Sequence, residues 1–148
     1  MHNSCSMQSL EAGQSCFRGR RSAWRFPWVT KLMLLHLQMK TPIEPKYGAT
    51  FDKFIGDAIL CHFGDPGSKG VKEEAEACVR MALKMQTRLH QLQLCWREKG
   101  LIDRPFEARV GINSGYCTVG NFGSQNRMDQ TIIGHEVNLA ARLKSHAN

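Results

Sequence analysis

The stretch TFDKFIGDAILCHFG, residues 50–64, decides the fold of this sequence. Strand-forming residues lie on both sides of Gly56 and Asp57, and a Gly-Asp pair between two apolar runs is typical of a tight turn. The stretch therefore predicts a β-hairpin. On this pattern alone, Asp57 is a turn residue and Lys53 is a solvated side chain. A binding role for either residue depends on the rest of the chain.

The composition fits one domain with its own core. The chain has 148 residues, of which 42% are hydrophobic, and this is within the usual size of a single domain. The formal net charge is +7, but residues 1–46 carry seven Lys/Arg and two acids, whereas residues 47–148 carry thirteen and eleven. The basic excess belongs mainly to residues 1–46, an otherwise unassigned segment. The charge therefore does not indicate a nucleic-acid-binding surface over the domain.

The cysteines and the apolar runs bear on the compartment. The six cysteines form no CxxC pair and no zinc-type cluster, which is typical of free thiols in a reducing compartment. Cys78 and Cys95 are assigned to helix packing. Residues 28–39 are too short to span a bilayer and contain Lys31 and His36. We therefore expect a cytoplasmic chain without a membrane segment or a secretory signal.

A long amphipathic helix is predicted after the hairpin. Residues 64–70 are rich in Gly, Pro and Ser and predict a loop. Apolar residues then recur every three or four positions, with acids at the start, and predict a helix over residues 71–98 that ends at Lys99-Gly100. The predicted buried face consists of Ala75, Cys78, Ala82, Met85, Leu89, Leu92 and Trp96.

The C-terminal third predicts a second hairpin and a second helix. FEARVGINSGYCTVGNFGS, residues 106–124, indicates two strands joined by a Ser-Gly turn at residues 114–115, followed by a glycine-punctuated loop. Residues 135–146 predict a helix on which Asn138 and Arg142, four positions apart, share one face. Such a pair can hold a phosphate or ribose group, although on most helices it is merely solvated.

Three segments together resemble a known family. TFDKFIGDAILCHFG, ARVGINSGYCTVGNFGS and TIIGHEVNLAARL are similar, in this order, to conserved blocks of the class III adenylate/guanylate cyclase catalytic domain. The resemblance covers residues 47–146 and assigns residues 47–148 to a partial cyclase domain. It implies an α+β fold, a partial ferredoxin-like cyclase fold with antiparallel hairpins packed against helices. It also implies conversion of a nucleoside triphosphate to the 3′,5′-cyclic monophosphate and pyrophosphate in intracellular signalling.

The resemblance assigns roles to residues of the first hairpin and of a later strand. Asp57 matches the second of two metal-binding aspartates, and Gly56 leaves room for metal and phosphates, which implies Mg²⁺ or Mn²⁺ as cofactor. Lys53 matches the purine-contacting residue of adenylate cyclases, since its ammonium can donate to adenine N1. Thr131 matches the partner position that accepts from the adenine amino group, as in the subgroup of cyanobacterial and bicarbonate-responsive enzymes. The implied substrate is ATP.

The same resemblance implies a shared site. Asn138 and Arg142 match the pair that orients the ribose and stabilises charge on the α-phosphate. In the family each site forms across a dimer in which one protomer supplies the metal aspartates and the other the purine, ribose and phosphate contacts. A homodimer, or a heterodimer with another cyclase domain, is therefore expected.

Two departures from the family pattern bear on activity. The first metal-binding aspartate lies in a Phe-x-Asp-Ile-x-Gly-Phe type block, and residues 1–46 contain no such block; their acids are Glu11 and Glu44. Without this block, a central strand would be absent and the hairpins would expose an unpaired edge. The family's later strands and its triphosphate-binding lysine have no counterpart before Asn148. The alternatives are an inactive cyclase-homology module that binds nucleotide or dimerises and, less favoured, a basic nucleic-acid-binding domain, which would need an aromatic strand motif.

Overall fold

A computed structural model of the chain describes residues 2–9, 46–55, 58–100, 102, 105, 107–124 and 127–147. For residues 2–9 and 127 only the backbone is described. In chain order, the strands and helices are β1 His2–Ser9, β2 Thr50–Ile55, β3 Ala58–His62, α1 Val71–Glu98, β4 Val110–Ser124, β5 Arg127–Ile133 and α2 His135–His146.

The strands form one antiparallel sheet of order β2-β3-β1-β4-β5. Ile59 and Cys61 of β3 pack in a cluster with α1, whereas Leu60 packs in a second cluster with Val137 of α2. Because successive side chains of a strand point to opposite faces, the two helices cover opposite faces of the sheet. This α+β arrangement confirms the predicted fold class.

The first hairpin and the long helix agree with the prediction. Ile55 pairs with Ala58, so β2 and β3 are joined through Gly56 and Asp57, which lie outside the described residues. Helix α1 has the predicted bounds and buries five of the seven predicted residues, while Ala75 and Trp96 are half-buried. The loop before α1 is fastened to it, since Ser68 Oγ and the Lys69 backbone N–H both donate to the buried Glu74 carboxylate.

The expectation of an unpaired edge between the hairpins is wrong. Strand β1 lies between β3 and β4; its residues pair with β4 from His2 opposite Cys117 to Ser9 opposite Val110, and with β3 from Ser6 to Ser9. A polar segment can occupy this central place because sheet pairing uses backbone groups, which every residue except proline provides in full. The domain boundary at residue 46 remains a prediction.

The predicted Ser-Gly turn is also wrong. Strand β4 is continuous from Val110 through residues 114–115 to Ser124, so the predicted glycine-punctuated loop is strand as well. The second hairpin is formed by β4 with β5 and not by two strands within residues 106–124. Gly115 lies within the strand, where it leaves room for α2. A Cβ at this position would lie 2.6 Å from Glu136 Cγ on α2. Gly111 has the same role one helical turn further along, where a Cβ would lie 2.0 Å from the Ala140 carbonyl oxygen. Both glycines allow α2 to approach β4 closely.

The cysteines whose side chains are described are free, as predicted, and the compartment remains a prediction. Cys61, Cys78, Cys95 and Cys117 are free, and all but the half-buried Cys95 are buried. In the described part of the chain, no helix combines the length and the apolar character needed to cross a membrane.

Candidate functional site

The structure brings the two predicted purine contacts together through a third residue. Thr131 Oγ1 donates a hydrogen bond of 2.6 Å to Asp52 Oδ2, and the backbone N–H of Ile132 donates to the same oxygen over 3.0 Å. Lys53 Nζ lies 3.7 Å from the other carboxylate oxygen, Asp52 Oδ1. One carboxylate on β2 thus connects Lys53 with Thr131 on β5, and we name Asp52, Lys53 and Thr131 the carboxylate cluster.

Burial distinguishes the members of the carboxylate cluster. The Asp52 side chain is 0% exposed, whereas that of Lys53 is 39% exposed, so the ammonium remains accessible while its counter-charge is buried. Thr131 is buried. A buried carboxylate is costly unless it accepts hydrogen bonds or pairs with a cation, and the cluster supplies both. Asp52 was not predicted from the sequence, where its only signal is an acid beside Lys53 in a largely apolar strand.

A buried histidine adjoins this region of the sheet. His62, at the end of β3, pairs with Thr50 of β2, and within the described residues neither of its ring nitrogens has a hydrogen-bond partner. Burial lowers the pKa of His62 below its ordinary value of 6.5, although the negative charges of Asp52 and Asp65 oppose this shift. The imidazole is therefore neutral near pH 7, and it adds no positive charge beside the cluster.

Helix α2 carries the second predicted pair. Asn138 and Arg142 are both exposed, and their spacing places them on one face of the helix. The helix begins two residues after β5, the strand that holds Thr131, and its first turn is fastened to β4 by hydrogen bonds from Asn113 Nδ2 to the carbonyl and carboxylate oxygens of Glu136. The α2 pair and Thr131 of the carboxylate cluster thus lie on consecutive elements.

The predicted metal ligand cannot be placed. Asp57 and Gly56 lie outside the described residues. Within the part of the chain that is described, no three His, Cys, Asp or Glu side chains come together as a metal site. The metal site therefore stays a prediction.

Comparisons with known proteins agree with the geometry. The model of the adenylate and guanylate cyclase catalytic domain family matches residues 28–148. The terminal-differentiation-specific adenylate cyclase of Dictyostelium discoideum is 36% identical over 109 residues, which cover 74% of this chain and 5% of that protein. The chain thus spans a small part of that relative's length.

Solved structures give the same result. The adenylyl cyclase CyaB from P. aeruginosa superimposes with a TM-score of 0.85 at 43% identity, covering 97% of this chain and 71% of that one. The guanylyl cyclase Cya2 superimposes with a TM-score of 0.79 at 28% identity, covering 99% of this chain and 73% of that one. Together with the family match, these similarities show that the chain belongs to the adenylate and guanylate cyclase catalytic domain family.

Proposed function

We propose that this chain is an adenylate cyclase catalytic domain that recognises ATP through Lys53 and Thr131. The observation that carries the proposal is the carboxylate cluster, in which Asp52 and Thr131 meet although they are 79 positions apart in the sequence. Its members offer an exposed cationic donor, Lys53, and a buried hydroxyl, Thr131. Membership of the family and the similarity to adenylate cyclases support the same choice of reaction.

The base preference follows from hydrogen-bonding chemistry. Adenine offers an acceptor at N1 and a donor at its 6-amino group, which complement the Lys53 ammonium and the Thr131 hydroxyl oxygen. Guanine offers a donor at N1 and an acceptor at O6, so an ammonium is the wrong partner for its N1. ATP is therefore the proposed substrate and GTP the disfavoured one.

The helix pair is proposed to act on the sugar and the reacting phosphate. Asn138 orients the ribose, and the Arg142 guanidinium stabilises the negative charge that grows on the α-phosphate. The 3′-hydroxyl oxygen forms a bond to the α-phosphorus, the bond from that phosphorus to the bridging oxygen of the β-phosphate breaks, and pyrophosphate leaves. The hydroxyl proton passes to water. Divalent metal ions, once held by the metal-binding aspartates of the dimer, would supply charge neutralisation of the triphosphate and help to ionise this hydroxyl.

The proposed site is completed by a second cyclase domain. The chain contributes Lys53, Thr131, Asn138 and Arg142, whereas a metal-binding aspartate pair would come from the partner protomer. Exposed apolar side chains near the ends of both hairpins support such a partner, because exposed apolar surface is typical of association sites. These side chains are Phe54, Ile55, Phe122 and Met128.

A second candidate is a module that binds nucleotide or dimerises without turnover. It is favoured by one sequence observation, the absence of a Phe-x-Asp-Ile-x-Gly-Phe type block in residues 1–46. Loss of one metal carboxylate removes most activity in sites whose ligands act as a unit. This candidate shares the proposed base recognition and differs only in whether cyclic AMP is made.

Nucleotide displacement tests the proposal. The chain is loaded with methylanthraniloyl-ATP in the presence of Mn²⁺, and unlabelled ATP or GTP is titrated against it. We expect ATP to displace the probe at lower concentration than GTP, and Arg142→Ala to weaken ATP binding. Arg97→Ala, which removes an exposed arginine from the last turn of α1, is the matched control. Tighter binding of GTP, or equal loss in both variants, would contradict the proposal.

A further inference from the structure

Asp52 occupies an irregular position in the sheet. Phe51 pairs with Cys61 and Lys53 pairs with Leu60, so two consecutive pairs of the β2–β3 ladder leave Asp52 between them without a partner of its own on β3. This is a β-bulge, and a bulge changes the direction in which the extra residue's side chain points. Here the carboxylate reaches β5, where it accepts from the Thr131 hydroxyl and from the backbone N–H of Ile132.

The bond to Asp52 fixes the hydrogen-bonding character of Thr131. A threonine hydroxyl has one proton and can therefore donate or accept toward a ligand, whereas an ionised carboxylate only accepts. The 2.6 Å contact commits the single hydroxyl proton to Asp52 Oδ2. The oxygen of Thr131 then has only lone pairs to offer a nucleotide base.

We infer that Asp52 is a specificity-determining positioning residue, which makes Thr131 an acceptor and thereby enforces adenine over guanine. The inference rests on the proposed function. An acceptor-only hydroxyl bonds to the 6-amino group of adenine and opposes the 6-oxo group of guanine. A threonine free to rotate would serve both bases, because it could turn its proton toward the guanine oxygen. Threonine alone is a weak discriminator, and the buried carboxylate gives the Thr131 position its selectivity.

The second carboxylate oxygen has a matching role. Asp52 Oδ1 is buried and has no hydrogen-bond donor in the described part of the chain, while Lys53 Nζ lies 3.7 Å away. This charge holds the ammonium on the same side as Thr131. The Asp52 carboxylate thus positions two groups, the Lys53 ammonium as a donor and the Thr131 hydroxyl oxygen as an acceptor. Each of these groups complements adenine and is mismatched with guanine.

Two substitutions at position 52 separate orientation from charge. Thr131 and Ile132 both donate to one oxygen, so Asp52→Asn retains an acceptor for Thr131 through its amide oxygen, while the oxygen near Lys53 becomes an NH2 group and the negative charge is lost. Asp52→Ala removes the acceptor and frees the hydroxyl. We expect Asp52→Asn to keep most of the ATP preference, and Asp52→Ala to lower the ATP-to-GTP affinity ratio on the order of tenfold, the size of one mismatched buried hydrogen bond.

The affinity ratio is measured by displacement of methylanthraniloyl-ATP with ATP and with GTP, and thermal unfolding followed by circular dichroism verifies that each variant is folded. If Asp52 had a purely structural role, Asp52→Ala would weaken the binding of ATP and of GTP equally and leave the ATP-to-GTP affinity ratio unchanged. If Asp52→Ala does not fold, Asp52→Leu keeps the side-chain volume without an acceptor and gives the same comparison.

The outcomes distinguish the inference from the proposed function. Wild-type chain that binds neither nucleotide, or that does not prefer ATP, would overturn the proposed function and this inference with it. Wild-type chain that prefers ATP, with the preference intact in folded Asp52→Ala or Asp52→Leu, would overturn the inference alone. A strongly reduced ratio in Asp52→Ala together with a largely retained ratio in Asp52→Asn is the result the geometry requires.

Discussion

Replacing Gly111 by alanine tests how α2 is held against the sheet. A Cβ at Gly111 would lie 2.0 Å from the Ala140 carbonyl oxygen and 2.6 Å from the Lys144 backbone nitrogen. Ordinary contact begins at 3.4 Å, so relief of the closer clash needs a shift of 3.4 − 2.0 = 1.4 Å. Both contacts are backbone atoms of α2, which cannot rotate away as a side chain can. The whole helix must therefore move.

The cost can be bounded from the geometry. Overpacking of a core typically costs about 1–3 kcal/mol, and a clash with helix backbone belongs at the upper end of that range. We expect the free energy of unfolding to fall by about 3 kcal/mol, and the melting temperature by roughly 10 °C for a chain of this size. ATP binding is expected to weaken as well, because Asn138 and Arg142 would move with the helix.

The assay is urea and thermal unfolding followed by circular dichroism. Gly67→Ala is the matched control, since a Cβ at this exposed loop position meets nothing within 4 Å. The control is expected to unfold within about 0.5 kcal/mol of the wild type. A similarly small effect of Gly111→Ala would refute the close packing of α2 on β4.

Three further predictions concern individual side chains. Because burial lowers the pKa of His62 below 6.5, the unfolded chain binds the proton more readily; stability is therefore complete above pH 6.5 and falls as the pH drops below it. The urea midpoint of the wild type should therefore be lower at pH 5.5 than at pH 7.5. This fall in the midpoint should be smaller in His62→Gln than in His90→Gln, the control at an exposed site. Glu74→Gln should lower the free energy of unfolding by about 1–2 kcal/mol, since two hydrogen bonds from the preceding loop lose their charged acceptor. Thermal unfolding measures this loss, and the control Glu76→Gln, at an exposed position, should lose less stability. Lys53→Glu should reduce the ATP preference in the displacement assay, because a carboxylate accepts from guanine N1.

The helices were the easiest elements to predict, because their apolar periodicity is written in local sequence. Helix α1 has the predicted bounds, and its buried residues follow the predicted stripe. On α2 the bounds also agree; its buried residues are Val137, Ala140 and Lys144, and Leu143 is exposed. The face that α2 buries is set by its approach to two glycines of β4, and this tertiary contact has no periodic signal.

The sheet was harder to predict, because strand pairing depends on distant partners. Glycine at position 115 has the local signature of a turn, yet it serves a close approach to Glu136 within a continuous strand. Strand β1 has no apolar alternation, and its place in the sheet is set by its pairing with β3 and β4.

The residues of the candidate site also fall into those that the sequence predicted and one that it did not. Lys53, Thr131, Asn138 and Arg142 were found through motifs that resemble a known family. Asp52 was not found, because its role depends on a bulge in the β2–β3 ladder and on a strand 79 positions away. Neither feature can be derived from the residues next to it.

Complementation tests the central claim most directly, namely that this chain supplies the base, ribose and phosphate contacts of an adenylate cyclase site. The chain is mixed with an intact cyclase subunit whose own equivalents of Asn138 and Arg142 have been replaced, Mn²⁺ and ATP are added, and cyclic AMP is measured. We expect activity to appear in the mixture and to fall on the order of a hundredfold with Arg142→Ala, the usual effect of losing a transition-state contact. No cyclic AMP from subunits that demonstrably associate would contradict the claim.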